Sequence, residues 1–202
     1  MATDRVAGNT IYLGLGLIAP EESDRWIRSG ISIASFCLGS LFFSSYHRYL
    51  SPRKRWVLVL SFLIQLAMTT AAALMVTLGP KTSKQAPLTE WVGVPIALIA
   101  FQAAGQAVTS RVLEFGGLTS VVLTSNYCDL FSDPNLLAGL TQNSVRNRRI
   151  AAPILLLGGA MLGGIWAHSS VGLAGALWTA VGLKTLITLA WFFWAAAPAE
   201  QD

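Results

Sequence analysis

Charge is what this chain has least of. Only 12% of its 202 residues are Asp, Glu, Lys or Arg, where soluble domains carry about 25%. With 53% hydrophobic residues and a mean hydropathy of +0.56, that shortage excludes an ordinary soluble domain and points to an integral membrane protein. Cysteine is scarce too. Cys37 and Cys128 make neither a disulfide framework nor a metal cluster, and Cys37, inside an apolar run, reads as a packing residue. His-Glu-x-x-His, Gly-x-Ser-x-Gly and Walker lysine-loop patterns do not occur. Gly14-x-Gly16-x-x-Ala19 imitates a dinucleotide fingerprint, but no strand precedes it, so no cofactor is expected. His47 and His168 sit at span ends and imply no metal. The net charge of +4 lacks the aromatic-interleaved basic stripe that nucleic acid requires. The opening MATDRVAGNT is polar and has no signal-peptide core.

What the chain does have is apolar length. Residues 26–45, 56–79, 91–109, 150–167 and 172–196 each approach the roughly 17–25 apolar positions that cross a bilayer. The expected fold is an all-α membrane protein: one integral domain over 1–202, five transmembrane helices and short re-entrant or broken segments. Its expected partner is the lipid bilayer, with a small-molecule ligand of unknown identity; a homo-oligomer stays open. YHRYLSPRKRW holds Arg48, Arg53, Lys54 and Arg55 without an acid and belongs in the cytosol. Residues 110–149, with Arg111, Arg146, Arg148 and Arg149, return to that side, and Glu21, Glu22 and Asp24 lie outside.

The halves resemble one another. RWIRSGISIASFCLGSLF (25–42) aligns with RIAAPILLLGGAMLGGIW (149–166), pairing Arg25 with Arg149 and Gly39 with Gly163. Each is preceded by an Asn-containing segment, GNTIYLGLGL or TSNYCDLF. Each is followed by a second span. The repeats are 1–79 and 91–196, and the charge pattern makes them antiparallel, the inverted arrangement of many secondary transporters. A helix preceding residue 8 is expected to be missing from the first repeat.

FQAAGQAVTSR…LTSVVLTSNYCDLFSDP, with GNTIYLGLG near the start, resembles the YoaK-like family of small membrane proteins, a domain of unknown function, in its fungal branch. Gly8-Asn9-Thr10, preceded by Ala7, matches the family's Thr-Gly-Asn-Thr segment. Gln102, Gln106, Arg111, Thr124, Ser125, Asp129, Ser132, Asp133 and Pro134 match its second-half pattern. The resemblance covers nearly the whole chain. It implies six spans, of which this chain lacks the first, and it brings no reaction or substrate.

The candidate pathway residues are Asp129, Asp133, Lys184, Arg111, Gln102, Gln106, Ser125, Asn126, Asn9 and Thr10. Asp129 and Asp133 stand four apart, on one face of a helix, and charge near membrane depth is costly. They form either a polar cavity floor for a cation, a proton or an amine, or, for Asp133 before Pro134, a cap on the NLLAGL segment. Lys184 lies about twelve residues from either end of its run, about 18 Å from each boundary at about 1.5 Å per residue. That is too deep to snorkel. It should pair inside the bundle, with Asp129 the chemically suitable partner, unless the span breaks near Gly182. Gln65, Gln102 and Gln106 act as interhelical glue or line a path. Gly159-x-x-x-Gly163 and Ser35-x-x-x-Gly39 predict close helix crossings.

Function on these grounds is a transporter-like small-molecule permease. The alternative is a membrane enzyme or accessory protein of a fungal small-molecule (secondary metabolite) pathway, in which Asp129 acts as an acid beside Tyr127 and Phe131. A structural membrane subunit is the third. Whether the chain is an enzyme stays open.

Overall fold

Apolar runs of this length have one way to satisfy their amides in hydrocarbon, which is to form helices. A computed structural model describes residues 4–21, 23–50, 54–80, 88–115 and 123–193; among them all regular structure is helical. The elements are α1 (Asp4–Ile18), α2 (Arg25–Leu50), α3 (Arg55–Leu78), α4 (Glu90–Val112), α5 (Leu123–Phe131), α6 (Ser144–Ala167) and α7 (Gly172–Phe193). Helices α2, α3, α4, α6 and α7 are long and apolar enough to cross a membrane, so the protein is a multi-pass integral membrane protein. The 15 residues of α1 rise only about 22 Å, short of the ~30 Å core, and α5 has nine residues. These two are the short segments expected from sequence. The Gly-rich stretch at 116–122, which belongs to the second of them, lies outside the described residues.

Side-chain pairs fix the directions of the helices. Gly93 lies against Ile31, Gly105 against Phe43, and Thr109 against His47, all at the 62-residue step recorded for His47 and Thr109. A constant step means that α2 and α4 run parallel. Thr77 meets Trp178 at one end of α3, and Arg55 meets Trp191 at the other, so α3 and α7 run antiparallel. Packing proceeds in the order α1, α2, α4, α3, α7, α6, with α6 touching its neighbours sparsely. Trp166 of α6 covers Gly175 of α7 just beyond their turn, where Gly172 takes a φ of 61° that suits glycine. At the far end of α4, Glu114 takes a left-handed φ of 62°, and Phe115 N–H reaches back to Ser110 O, stopping the helix.

Arg48, Lys54, Arg55, Arg111, Arg148 and Arg149 consequently gather at one end of the bundle. Asp24, whose carboxylate accepts from Leu88 N–H, and Glu90 lie at the other. The positive-inside rule predicts that the basic end faces the cytosol.

The glycine expectation divides. A Cβ on Gly39 would stand 2.6 Å from Phe101 O, and one on Gly105 2.6 Å from the Phe43 ring, so these glycines set the α2–α4 separation. Gly159 has no such neighbour: nothing among the described residues lies within 4 Å of its added Cβ. A GxxxG spacing permits close approach but supplies no partner. Gly105→Leu should lower stability by about 1–3 kcal/mol through overpacking, whereas Gly159→Leu should stay within about 0.5 kcal/mol of wild type. Thermal unfolding in detergent measures both. Equal losses would contradict the assignment of the crossing to α2 and α4.

Candidate functional site

Three helices carry polar stripes at helical spacing through the centre of the bundle. On α3 these are Ser61, Gln65 and Thr69; on α4, Gln102, Gln106 and Thr109; on α7, Lys184 and Thr188. One residue from each of α3 and α4, Gln65 and Gln106, meets the α7 ammonium. Lys184 Nζ donates to Gln65 Oε1 at 2.8 Å and to Gln106 Oε1 at 3.3 Å. Lys184 is 7% exposed and Gln65 fully buried. The supporting shell is local: Gln65 Nε2 donates to Ser61 Oγ at 3.4 Å, Thr69 Oγ1 to Gln65 O, and Thr188 Oγ1 to Lys184 O. One helical turn from Gln106, Gln102 is buried with its Oε1 unpartnered among the described residues. Toward the basic end, His47 Nε2 and Thr109 Oγ1 are 3.1 Å apart, both buried.

An ammonium has three donor positions, and two are occupied here. No carboxylate lies within ion-pair distance of Lys184 among the described residues. The two acceptors are neutral amides, so they orient the charge without cancelling it.

Asp129 is not the partner of Lys184. It is exposed on α5, its Oδ2 lies 4.0 Å from Arg149 Nη2, and Arg149 also donates to its backbone carbonyl. The reason is topological. Helix α6 begins at Ser144, six residues before the expected span, and this polar first turn and a half brings Arg149 to α5 at the basic end. Lys184 stays in the middle of α7. Asp133 is held in the same place, accepting from Asn135 N–H at 2.9 Å and Asn143 Nδ2 at 3.1 Å, with Arg149 3.7 Å away. It shapes turns over NLLAGL, which is not a helix, and Asn143 rather than Asp133 caps the next helix.

Of the remaining candidates, Asn126 is buried and ties α5 to α6 by donating to Arg149 O at 2.8 Å. Ser125 and Arg111 are exposed near the basic end. Asn9 (half-buried) and Thr10 (exposed) lie on α1, which packs on α2 and is separated from α7 by α4 and α3 in packing order. The fold thus gathers candidates in two places: Lys184 with Gln106, one turn from Gln102, and Asp129 with Asp133 around Arg149 at the basic end. Tyr127 and Phe131 are 44% and 73% exposed, so they enclose no chamber around Asp129. Sequence reasoning counted Arg146 only as a loop charge and missed its structural role. Its buried guanidinium gathers the loop before α6 by donating to the carbonyls of Leu136 at 2.8 Å, Ala138, and Gly139 at 3.3 Å.

The Asn135 N–H, then the Asn143 amide, with Arg149 and Arg146 nearby, hold the Asp133 carboxyl below its ordinary value of 3.8. A depressed carboxylate stabilises the fold above its ordinary pKa, and the contribution disappears as pH falls through the lower native value. Proteolysis of the 132–143 loop by an acid-tolerant protease should stay slow at about pH 5 and rise below about pH 4. Asp133→Asn should remove that acid-dependent step; an unchanged profile would mean another group controls it.

A double-mutant cycle separates the two pairings. Gln65→Leu leaves the ammonium one acceptor short and should cost about 1–3 kcal/mol. Combined with Lys184→Met, the loss should be well below the sum, whereas Asp129→Asn with Lys184→Met should be additive within about 0.5 kcal/mol. Additivity of the Gln65–Lys184 pair would remove this site from consideration.

A family model described as a protein of unknown function (DUF1275) matches residues 2–190. No curated protein and no solved structure matches the chain.

Proposed function

We propose that this chain, which belongs to the DUF1275 family, is a transporter-like permease whose mid-bilayer Lys184 holds a small anionic solute. The observation that carries this reading is an ammonium bound to two neutral amides, with one donor position left and no acid beside it among the described residues. A buried charge without a counter-charge is strongly unfavourable, and a carboxylate entering at the Gln106 side, which is exposed, supplies both neutralisation and the third acceptor. The loaded site is neutral where the empty one is cationic. That difference gives the solute a way to change the energetics of the crossing.

The position of the site supports the same reading. Spans α3 and α7 are counterparts in the proposed inverted repeat, and Gln65 and Lys184 lie near their midpoints. Discontinuous or polar sites at the junction of two inverted halves are the usual location of transporter substrate sites. The rival reading, an enzyme or accessory protein of a fungal small-molecule pathway acting through Asp129, draws no such support, because that carboxylate is exposed and paired with arginine.

Proteoliposomes containing the full chain should take up radiolabelled small mono- or dicarboxylates above the level of empty vesicles. Lys184→Gln keeps a donor for Gln65 but removes the charge. Loss of a charge-assisted hydrogen bond worth about 1.5–3 kcal/mol should reduce uptake about tenfold or more. Absence of wild-type uptake, or uptake in Lys184→Gln equal to wild type, would overturn the permease reading.

A further inference from the structure

The start of α3 is unusual for a helix terminus. It has no acidic residue in its first turn, and its N-cap, Lys54, makes no side-chain cap. The partial positive charge of the first-turn amides is therefore added to that of Lys54 and Arg55 rather than offset. Arg55 is held in place by donating from Nε to Trp191 O at 3.1 Å, so its terminal nitrogens point to no acid among the described residues. Directly beneath these cations a half-open groove of about 640 Å³ runs between α3 and the end of α7. Its walls are Val59, Leu60 and Leu63 on one side and Phe192 on the other, with Trp56 at the mouth. From Lys54 to Leu63 the helix descends nine residues, about 14 Å, or about half of the ~30 Å hydrocarbon core.

We propose that this groove binds one anionic phospholipid of the cytosolic leaflet, headgroup phosphate on Lys54, Arg55 and the α3 N-terminus, acyl chain along Leu60, Leu63 and Phe192. Each part of such a lipid has its complement here. The cations and free amides match a phosphate at headgroup level. The apolar walls match one leaflet's depth of acyl chain, and Trp56 sits where interfacial aromatics sit. A free phosphate would use only the upper part and leave the groove unfilled. The site is separate from the Lys184 centre and does not depend on the permease reading.

The test uses the purified full chain in phosphatidylcholine nanodiscs doped with phosphatidylserine. Native mass spectrometry should find one phosphatidylserine retained per chain, and thermal unfolding should shift upward with it. Lys54→Gln/Arg55→Gln should weaken retention about tenfold or more, the loss of charge-assisted bonds to the phosphate. Leu63→Trp, which fills the deep end and leaves the cations intact, should weaken it as well. Should the charge variant not fold, Leu63→Trp alone decides the question. Equal retention of phosphatidylcholine, unaltered retention in Leu63→Trp, or competition by glycerol 3-phosphate as effective as by the lipid would each overturn the proposal.

Discussion

An ammonium at bilayer mid-depth has no water to fall back on, and the central packing of this protein answers to that constraint. Lys184 needs acceptors, and the structure supplies them from two other helices, Gln65 on α3 and Gln106 on α4. For Gln65 to serve, α3 must lie between α4 and α7 with its polar stripe turned inward, and its packing partners are these two helices. Leaving that ammonium one acceptor short costs about 1–3 kcal/mol, as much as a whole core contact. Tryptophan contacts then fix the α3–α7 pair at both ends: Trp178 donates to Thr77, and Trp191 stacks on Phe62 with ring centroids 6.4 Å apart. The Gln65–Lys184 contact sits between those two ties, so its geometry is set from both sides.

The other helical pair is built from smallness instead of charge. Helices α2 and α4 approach closely because Gly39 and Gly105 leave room for the Phe101 backbone and the Phe43 ring. In a bilayer, where neighbouring lipid tails are as apolar as leucine, such close packing and interhelical hydrogen bonds replace the hydrophobic effect as the force between helices. Here both appear on α4. Its glycine face meets α2, and its Gln106 accepts from Lys184 of α7. That double use explains why α4, in spite of its modest length, is the element on which the two pairs join.

The five spans and the burial of Lys184 were legible because both follow from local sequence: apolar length, and a charge too deep to snorkel. Its partner was not legible. Gln65 is 119 residues away, and only the antiparallel register of α3 and α7 brings the two together. Asp129 was the natural choice on charge alone, but choice by charge ignores depth, and the early start of α6 at Ser144 keeps Arg149 beside it at the bundle's end. The glycine motifs teach the same lesson. Ser35-x-x-x-Gly39 and Gly159-x-x-x-Gly163 look equivalent in sequence; Gly39 meets a neighbouring backbone, and Gly159 meets nothing. Arg146 was read as one more cytosolic charge, since nothing in its neighbours announces that three carbonyls would fold over it.

Helix α3 has two faces with opposite duties, and its residue order lets it perform both. Ser61, Gln65 and Thr69 recur every four positions on the buried face, where Gln65 meets the ammonium, while Leu60 and Leu63 face outward along the groove. Arg55 belongs to both arrangements. Its Nε holds the last turn of α7 through Trp191 O, and its remaining donors stand at the groove's mouth. A lipid seated there would brace Phe192 against α3 at the same end where Arg55 holds Trp191. Helix α6 offers no comparable brace: it touches α7 mainly near their shared turn and is otherwise gathered at its start by Arg146 and Asn126. The α3–α7 contact therefore carries both the tie at the basic end, Arg55 to Trp191, and the mid-span ammonium, Lys184 to Gln65.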